Sequence, residues 1–384
     1  MTNKVIGLAC ATLNNYGSLL QTYALQTVIG REKIGSEIIN YHEPILRKLM
    51  RMGDFEYLQT IFKKVFLDNP ILGNGKVFPK NLTDRAACFD KFRKANLHFS
   101  VVCNNRTELT KLALSYKMVL LGSDQLWHPM NLLMDFYTLT FVPKGILKAS
   151  YAASFGTSEI PEKMKKKYNY FISKFDYLSC REEAGVKLVK QLTGRTAQVV
   201  CDPTLLMTAK EWEPLLMDIL RIEGNFIFCY FLGTNENHRI LAKEWSERTG
   251  LKIVALPHIV EYVECDENYA DYTPYKIGPA EFISLINKAT FVFTDSFHAS
   301  VFSLLFHKQL FVFDRFENNN VRATTSRIET LLGIVGQGQR LVKHNAQIEN
   351  LCELEDIDFS QTDERLASFR EQSYKYLRDV LNAI

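Results

Sequence analysis

The chain has 384 residues, of which 47% are hydrophobic and 23% charged, so a disordered or fibrous protein is excluded and two globular domains are expected. Its 46 Lys and Arg residues nearly balance its 43 Asp and Glu residues, and a net charge of +3 excludes the concentrated basic face typical of nucleic-acid-binding proteins. The most apolar stretch, residues 290–313, is interrupted by Asp295, His298, His307 and Lys308, which excludes an uninterrupted membrane span of about 20 residues.

A secretory signal needs an apolar stretch of about 7–15 residues after a basic start, but here only the short run of residues 5–9 follows Lys4. The eight cysteines are dispersed and contain no C-x-x-C pair, a distribution typical of free buried thiols in a reducing compartment. The sequence therefore predicts a cytoplasmic protein.

In the first half, short apolar runs alternate with helical patterns, which predicts βαβ units around a mostly parallel sheet and an α/β fold. Strands are predicted at residues 5–9, 37–40, 118–121, 149–153, 177–180 and 198–200. Helices are predicted at residues 19–29, 108–115, 162–173 and 182–191, with two inserted helices at 45–67 and 84–96.

The alternation starts again in the second half. Strands are predicted at 226–230, 252–255, 290–294 and 310–313, and helices at 238–249, 279–288, 299–306 and 327–332. We expect two Rossmann-like domains facing a cleft: an N-terminal domain, 1–207, with a helical insertion at about 45–97, and a C-terminal domain, 208–361. An amphipathic closing helix, 362–384, is able to pack back on the first domain.

The most informative segment lies where the predicted strand 290–294 gives way to a helix. Asp295 and Ser296 are helix-capping residue types, and His298 follows in the first turn. In open α/β sheets ligands bind at the carboxyl ends of strands, and a helix N-terminus favours phosphate or carboxylate. The segment therefore predicts an anion site beside His298, although simple capping around a core histidine explains the residues equally well.

Polar residues also follow strands of the first half. The loop with Asn15, Tyr16, Gly17 and Gln21 has no G-x-G-x-x-G fingerprint, which disfavours dinucleotides and favours a sugar-binding loop or a capped turn. The segment with Ser123, Asp124, Trp127 and His128 is suited to a carbohydrate subsite, or to a capped turn. Ser154-Phe-Gly156 ends the next strand. Arg181 is placed either to bind an anion or to pair with Glu182 or Asp202.

The sequence has no H-E-x-x-H metal motif and no G-x-S-x-G nucleophile motif. Of the eight histidines, all but His128 and His298 are expected to be structural or solvated. Residues 45–67 combine basic and apolar side chains. The favoured interpretation is a helical pair packed on the first domain. The alternative is a peripheral contact with an anionic membrane surface.

Taken together, these segments resemble the polysaccharide pyruvyl transferase family over most of the chain. The resemblance is carried by seven segments in family order: Asn15-Tyr16-Gly17 with Leu20-Gln21 and Ala24-Leu25, Gly122-Ser-Asp-Gln-Leu-Trp127, Ser154-Phe-Gly156, Arg181-Glu182, Asp202-Pro-Thr-Leu-Leu206, Thr294-Asp-Ser-Phe-His298 with Phe302-Ser303, and Ser326-Arg327-Ile328. The resemblance implies a glycosyltransferase-B-like fold. It also implies phosphoenolpyruvate as donor and, as acceptor, a saccharide of a surface polysaccharide or its lipid-linked precursor, with a pyruvate ketal as product.

The resemblance also implies which residues form the site. The expected donor-binding residues are Arg181, Ser296, Phe297, His298 and Arg327. The expected acceptor-binding residues are Asn15, Tyr16, Gly17, Gln21, Ser123, Asp124 and Trp127. Family members with Arg-x-His at the helix start have an arginine where this chain has Ser296, so Arg327, or else Arg322 or Arg315, is expected to supply that charge.

The chemistry follows from the donor. Arginines and helix amides suit its phosphate and carboxylate, and His298 as imidazolium is the expected acid that protonates its methylene carbon. Asp124 or His128 is the expected acceptor of the hydroxyl proton, and no metal or cofactor is expected. Two alternatives remain open. One is a nucleotide-sugar glycosyltransferase with the same architecture. The other is a non-catalytic glycan-binding partner in polysaccharide assembly, which is consistent with a serine at position 296 in place of the arginine.

Overall fold

The structure is a computed structural model that describes residues 5–42, 77–133, 135–218, 224–258, 263–315 and 326–384. The predicted helix 45–67, with its suggested membrane contact, and Arg322 lie outside these residues. The described chain alternates strands and helices as the sequence predicts.

All the strands pair in parallel. They are β1 (Val5–Ala9), β2 (Gly35–Ile38), β3 (Met118–Leu121), β4 (Leu147–Ser150), β5 (Ser179–Cys180), β6 (Gln198–Val199), β7 (Phe226–Tyr230), β8 (Lys252–Ala255), β9 (Phe291–Thr294), β10 (Gln309–Phe313) and β11 (Leu341–Val342). The predicted strand 149–153 is wrong at its end, because Ala152 adopts a left-handed φ of 55° and turns the chain. The predicted strand 37–40 is displaced, since pairing with β1 begins at Gly35.

The helices pack between and around the strands. They are α1 (Tyr16–Arg31), α2 (Val77–Asn96), α3 (Arg106–Ala113), α4 (Glu162–Ile172), α5 (Glu183–Thr193), α6 (Pro203–Leu206), α7 (Ala209–Trp212), α8 (Glu236–Thr249), α9 (Pro279–Lys288), α10 (Phe297–Leu305), α11 (Ser326–Ile334), α12 (Ile348–Cys352) and α13 (Phe359–Leu381). The sequence missed the short elements α6, α7, β11 and α12, whose apolar signal is too brief. It placed the start of α2 seven residues too late.

The chain divides into two compact units. The first contains residues 1–63, 94–207 and 368–384, and the second contains residues 64–93 and 208–367. The second unit thus includes most of α2, which the sequence assigned to the N-terminal domain. The C-terminal half of α13 packs within the first unit, where the Ser373 hydroxyl accepts from the backbone N–H of Cys201 at 2.8 Å.

The first unit is built on a parallel sheet of order β2-β1-β3-β4. All four residues of β3 are buried, as expected for a strand with both faces covered. Isolated bridges, Ala149 to Tyr177 and Ala153 to Cys180, connect β4 and the turn after it to the β5 strand region. The carboxyl ends of β1, β3 and β5 carry the polar segments noted in the sequence.

The second unit contains a five-stranded parallel sheet of order β11-β10-β9-β7-β8. Strand β7 is buried throughout, and its neighbours on the two sides, β8 and β9, are later strands of the unit. The strand order therefore reverses at β7, the type of position at which open α/β sheets bind ligands.

Candidate active site

The carboxyl end of β9 is fixed by a buried carboxylate. Asp295 is 1% exposed and accepts hydrogen bonds from the backbone N–H groups of Leu232 and Gly233, both at 2.7 Å. The Thr294 hydroxyl donates to the Tyr230 carbonyl and accepts from the Ser296 N–H. These bonds hold the ends of β7 and β9 together, so the start of the following helix has a fixed position.

Helix α10 begins directly after this point. Ser296 is its N-cap, and its hydroxyl accepts from the Ala299 N–H at 3.4 Å. His298 is the second residue of the helix and is 7% exposed, with its ring edge-on to that of Phe297 at a centroid distance of 5.2 Å. The helix N-terminus therefore brings amide N–H groups and one imidazole to the carboxyl end of a buried strand.

Two arginines contact the residues around Ser296. The Arg315 guanidinium donates from Nη2 to the Asp295 carbonyl at 2.9 Å and lies 3.3 Å from its carboxylate. Arg327 is 8% exposed, and its guanidinium lies 6.0 Å from the centre of the Phe297 ring. Two guanidinium groups are thus close to the residues on either side of Ser296 in the chain, Asp295 and Phe297.

In the first unit, Asp124 follows the buried end of β3. Its backbone has a left-handed φ of 85°, which lets the carboxylate accept from the N–H of its neighbour Gln125 at 2.8 Å. The Ser18 hydroxyl, from the first turn of α1, donates to the other carboxylate oxygen at 2.5 Å. The sequence missed Ser18, and its only signal was its position three residues after the N-cap Asn15.

Arg181 lies beside this carboxylate but is buried. Its Nη1 pairs with Asp202 at 2.7 Å, and its Nη2 lies 3.8 Å from Asp124. The Ser123 hydroxyl also donates to Asp202 at 2.7 Å. Of the two roles expected for Arg181, the structure contains the pairing with Asp202, which joins the ends of β3, β5 and β6.

The Ser154-Phe-Gly156 turn is held by Glu182, whose side chain is fully buried. One carboxylate oxygen accepts from the Ser154 hydroxyl and from the Phe155 N–H, both at 2.9 Å. Gly156 has a φ of 61°, and a Cβ there would lie 2.5 Å from the Gln125 amide nitrogen. The left-handed backbone and the nearby Gln125 side chain both favour glycine at this position.

The α1 residues predicted to contact the acceptor are mostly interior. Asn15 is the half-buried N-cap and accepts from the Ser18 N–H at 3.1 Å, whereas Tyr16 and Gln21 are fully buried and Gly17 is also buried. The Gln21 amide donates to the Ser18 carbonyl at 3.0 Å and to the Thr22 hydroxyl at 2.8 Å. The predicted sugar contacts of Tyr16 and Gln21 are corrected accordingly, because these side chains support the helix start from inside.

Trp127 is also in the interior. Its ring is 0% exposed and packs against Phe155, Phe171 and Phe175 at centroid distances of 5.2–6.1 Å. The prediction of an aromatic sugar subsite at Trp127 is therefore wrong, since the indole belongs to the hydrophobic core. His128 next to it is half-buried, and its Nδ1 accepts from the Met130 N–H at 3.2 Å.

Other features of the described residues bear on the chemistry. They contain no group of three or more His, Cys, Asp or Glu side chains placed to hold a metal ion. None of the helices in the described ranges is both long and apolar enough to cross a bilayer.

All eight cysteines are free thiols, and burial raises the pKa of Cys201 to about 11 and that of Cys10 to about 12.

Solved structures of known proteins share this fold. MnaA from S. aureus, in complex with UDP, is 12% identical with a TM-score of 0.55 over 99% of this chain and 98% of its own. UDP-GlcNAc 2-epimerase from Neisseria meningitidis, bound to UDP-GlcNAc, is 11% identical with a TM-score of 0.51 over 99% of this chain and 100% of its own. At these identities the likeness shows the fold alone, and the predicted α/β, glycosyltransferase-B-like fold class is confirmed.

Sequence comparison identifies the family. No curated protein matches the chain significantly. The family model described as polysaccharide pyruvyl transferase, however, matches residues 15–317. That range begins at the α1 N-cap and includes the network around Asp124 and the β9 to α10 turn, while Arg327 lies beyond it. The chain therefore belongs to the polysaccharide pyruvyl transferase family.

Proposed function

We propose that this protein transfers the pyruvyl group of phosphoenolpyruvate to two hydroxyls of a saccharide, forming a ketal and releasing phosphate. The acceptor is a sugar of a surface polysaccharide or of its lipid-linked precursor, and the reaction takes place in the cytoplasm. The observation that carries the proposal is the α10 start, where His298 lies in the first helical turn of a chain that belongs to this family.

The donor is bound by the second unit. A helix N-terminus presents amide donors that favour an anion, and an arginine adds a charge-assisted hydrogen bond to a phosphate or carboxylate. The Arg327 guanidinium lies 6.0 Å from the centre of the Phe297 ring, next to His298. Position 296, where some family members have an arginine, is a serine in this chain. We assign the replacement charge to Arg327 and a supporting role to Arg315, whose guanidinium lies 3.3 Å from the Asp295 carboxylate.

His298 supplies the proton in the first step. As imidazolium it protonates the methylene carbon of phosphoenolpyruvate, which makes the neighbouring carbon electrophilic and open to attack by a sugar hydroxyl. A second hydroxyl then displaces phosphate and closes the ketal ring. The first unit supplies the acceptor site around Asn15 and Asp124, with His128 at its edge. Ser123, which is buried and donates to Asp202, supports this site from inside, and Arg181 positions the Asp124 carboxylate.

The test is phosphate release from phosphoenolpyruvate in the presence of a panel of p-nitrophenyl hexopyranosides. His298→Ala is expected to reduce the rate by at least about 100-fold, the usual contribution of a positioned acid, while the fold is retained. The matched control is His307→Ala, since His307 is half-exposed and pairs with Asp363 on the surface. Phosphate release at the wild-type rate by His298→Ala would rule out the acid role.

The rival function is sugar transfer from a nucleotide sugar, which the fold shared with UDP-bound enzymes favours. Thermal-shift measurements separate the two, because a ligand stabilises the folded state that binds it. Stabilisation by phosphoenolpyruvate and none by UDP supports ketal transfer, and the reverse supports the rival. Glycan binding without phosphate release for every acceptor would instead indicate a non-catalytic partner.

A further inference from the structure

A second histidine of the second unit is arranged for proton transfer. His258 follows the end of β8 and is 8% exposed, comparable with His298. Its Nδ1 lies 2.6 Å from Oδ2 of Asp266, and the same oxygen accepts from the His258 backbone N–H at 2.9 Å. Both the ring and the backbone of His258 are therefore tied to one carboxylate.

The remaining contacts of Asp266 keep that carboxylate ionised. Its other oxygen accepts from Nε and Nη2 of Arg239 at 3.1 and 2.6 Å, and the Arg239 side chain is 2% exposed. Burial alone would raise the pKa of Asp266, but the hydrogen bonds and charges of His258 and Arg239 lower it below its usual value. An ionised carboxylate only accepts hydrogen bonds, so Nδ1 of His258 carries a proton, and in the neutral imidazole Nε2 then carries the lone pair.

The backbone that carries His258 is also fixed. Arg85 of α2 is 1% exposed and donates to the carbonyl of Pro257 at 2.9 Å and to that of Tyr275 at 3.1 Å. The His258 Nε2 is buried and has no hydrogen-bond partner among the residues that the structure describes. Buried polar atoms in folded proteins nearly always have a partner, so an oriented nitrogen of this kind points to a ligand.

We propose that His258 is a second catalytic residue, which takes the proton from the first attacking sugar hydroxyl and returns it to the departing phosphate. This inference rests on the proposed function. Asp266 and Arg239 are positioning residues that fix its tautomer. In the sheet, β7 lies between β8 and β9, the strands that precede His258 and His298. Because neighbouring strands are about 4.8 Å apart, the ends of β8 and β9 are about 10 Å apart. A donor molecule and one sugar ring together span a distance of this size.

The proton balance of the reaction has a place for such a group, the place that the sequence assigned to Asp124 or His128. Two C–O bonds form at the central carbon of the donor, one C–O bond to phosphate breaks, and the methylene carbon gains one hydrogen. The two hydroxyls release two protons, one of which balances the proton taken by carbon and the other the proton taken by phosphate. His298 donates a proton to the methylene carbon and recovers one from the second hydroxyl. His258 takes a proton from the first hydroxyl and gives it to the departing phosphate. Each histidine therefore returns to its starting protonation state.

The experiment compares wild type, His258→Gln, Asp266→Asn and the surface control His307→Gln in the phosphate-release assay described above. We expect His258→Gln to lower kcat at least about 100-fold, with the KM for phosphoenolpyruvate and its thermal shift unchanged. Asp266→Asn lowers kcat in the same direction, because an amide can donate to Nδ1 and then favours the wrong tautomer. In both variants kcat falls while the KM for phosphoenolpyruvate stays unchanged, a split that a purely structural role would not produce.

A measurement on the unmodified protein keeps the test independent of how the variants fold. Long-range proton–nitrogen NMR of wild type is expected to show His258 protonated on Nδ1, and a tautomer protonated on Nε2 overturns the inference. Wild-type kcat in His258→Gln overturns it as well, while loss of activity in His298→Ala leaves the proposed function standing. Wild type that neither releases phosphate nor is stabilised by phosphoenolpyruvate overturns the proposed function itself.

Discussion

The buried pair of Arg181 and Asp202 allows a quantitative test of what Arg181 does. The two side chains are 1% and 0% exposed, and they meet at 2.7 Å. Removing one partner of a buried ion pair costs about 3–5 kcal/mol, because the other charge stays out of water. Arg181→Met leaves Asp202 with donors from Ser123 and Thr204, so a loss near the lower bound, about 3 kcal/mol, is expected.

The reciprocal change is expected to cost more. Asp202→Asn leaves the buried Arg181 guanidinium with Asp124, at 3.8 Å, as its nearest carboxylate, so we expect a loss of about 4–5 kcal/mol. In the double variant neither charge is left behind, and the combined loss should be smaller than the sum by about 0.5–3 kcal/mol. Urea denaturation followed by tryptophan fluorescence gives the free energy of unfolding of all three variants.

The same variants decide between support and direct donor binding. If Arg181 positions Asp124, Arg181→Met lowers stability and leaves the KM for phosphoenolpyruvate close to that of wild type. A stability loss below about 1 kcal/mol, typical of an exposed pair, together with a strongly raised KM, would refute the structural reasoning and restore the arginine as a donor-binding residue.

Two further predictions concern stability. Burial lowers the pKa of His238 from 6.5 to about 4. Between these two pH values the unfolded chain binds a proton that the folded chain does not. The contribution of His238 to the free energy of unfolding is therefore complete above pH 6.5, and the free energy of unfolding falls by about 3 kcal/mol as the pH approaches 4. His238→Gln should remove this slope in urea titrations at successive pH values, and an unchanged slope would assign the acid sensitivity to other groups. Trp127→Ala is expected to lower the free energy of unfolding by about 3–5 kcal/mol and to leave the KM for the sugar acceptor unchanged. A raised acceptor KM at wild-type stability would instead show that the indole contacts the sugar.

The sequence by itself determined the α/β class and most element positions. Strands β1, β3, β7 and β8 lie where the apolar runs predict them, because continuous apolar runs of four or five residues between helical patterns have few other ways to be buried. It also located the strand ends that carry polar residues, since capping residues such as Asn15 and Ser296 act within one helical turn.

Only the tertiary structure decided which of those polar residues meet. Arg181 pairs with a carboxylate 21 positions away, and Ser18 with one 106 positions away, and no local pattern encodes such partners. Trp127 is in the core because Phe155, Phe171 and Phe175, later in the chain, cover it. His258 carried no signal, since its tautomer depends on Asp266 and Arg239 and the backbone before it is held by Arg85, and long-range packing brings these residues together. Periodicity reports burial along one element, whereas pairing between elements is set by the arrangement of the whole sheet.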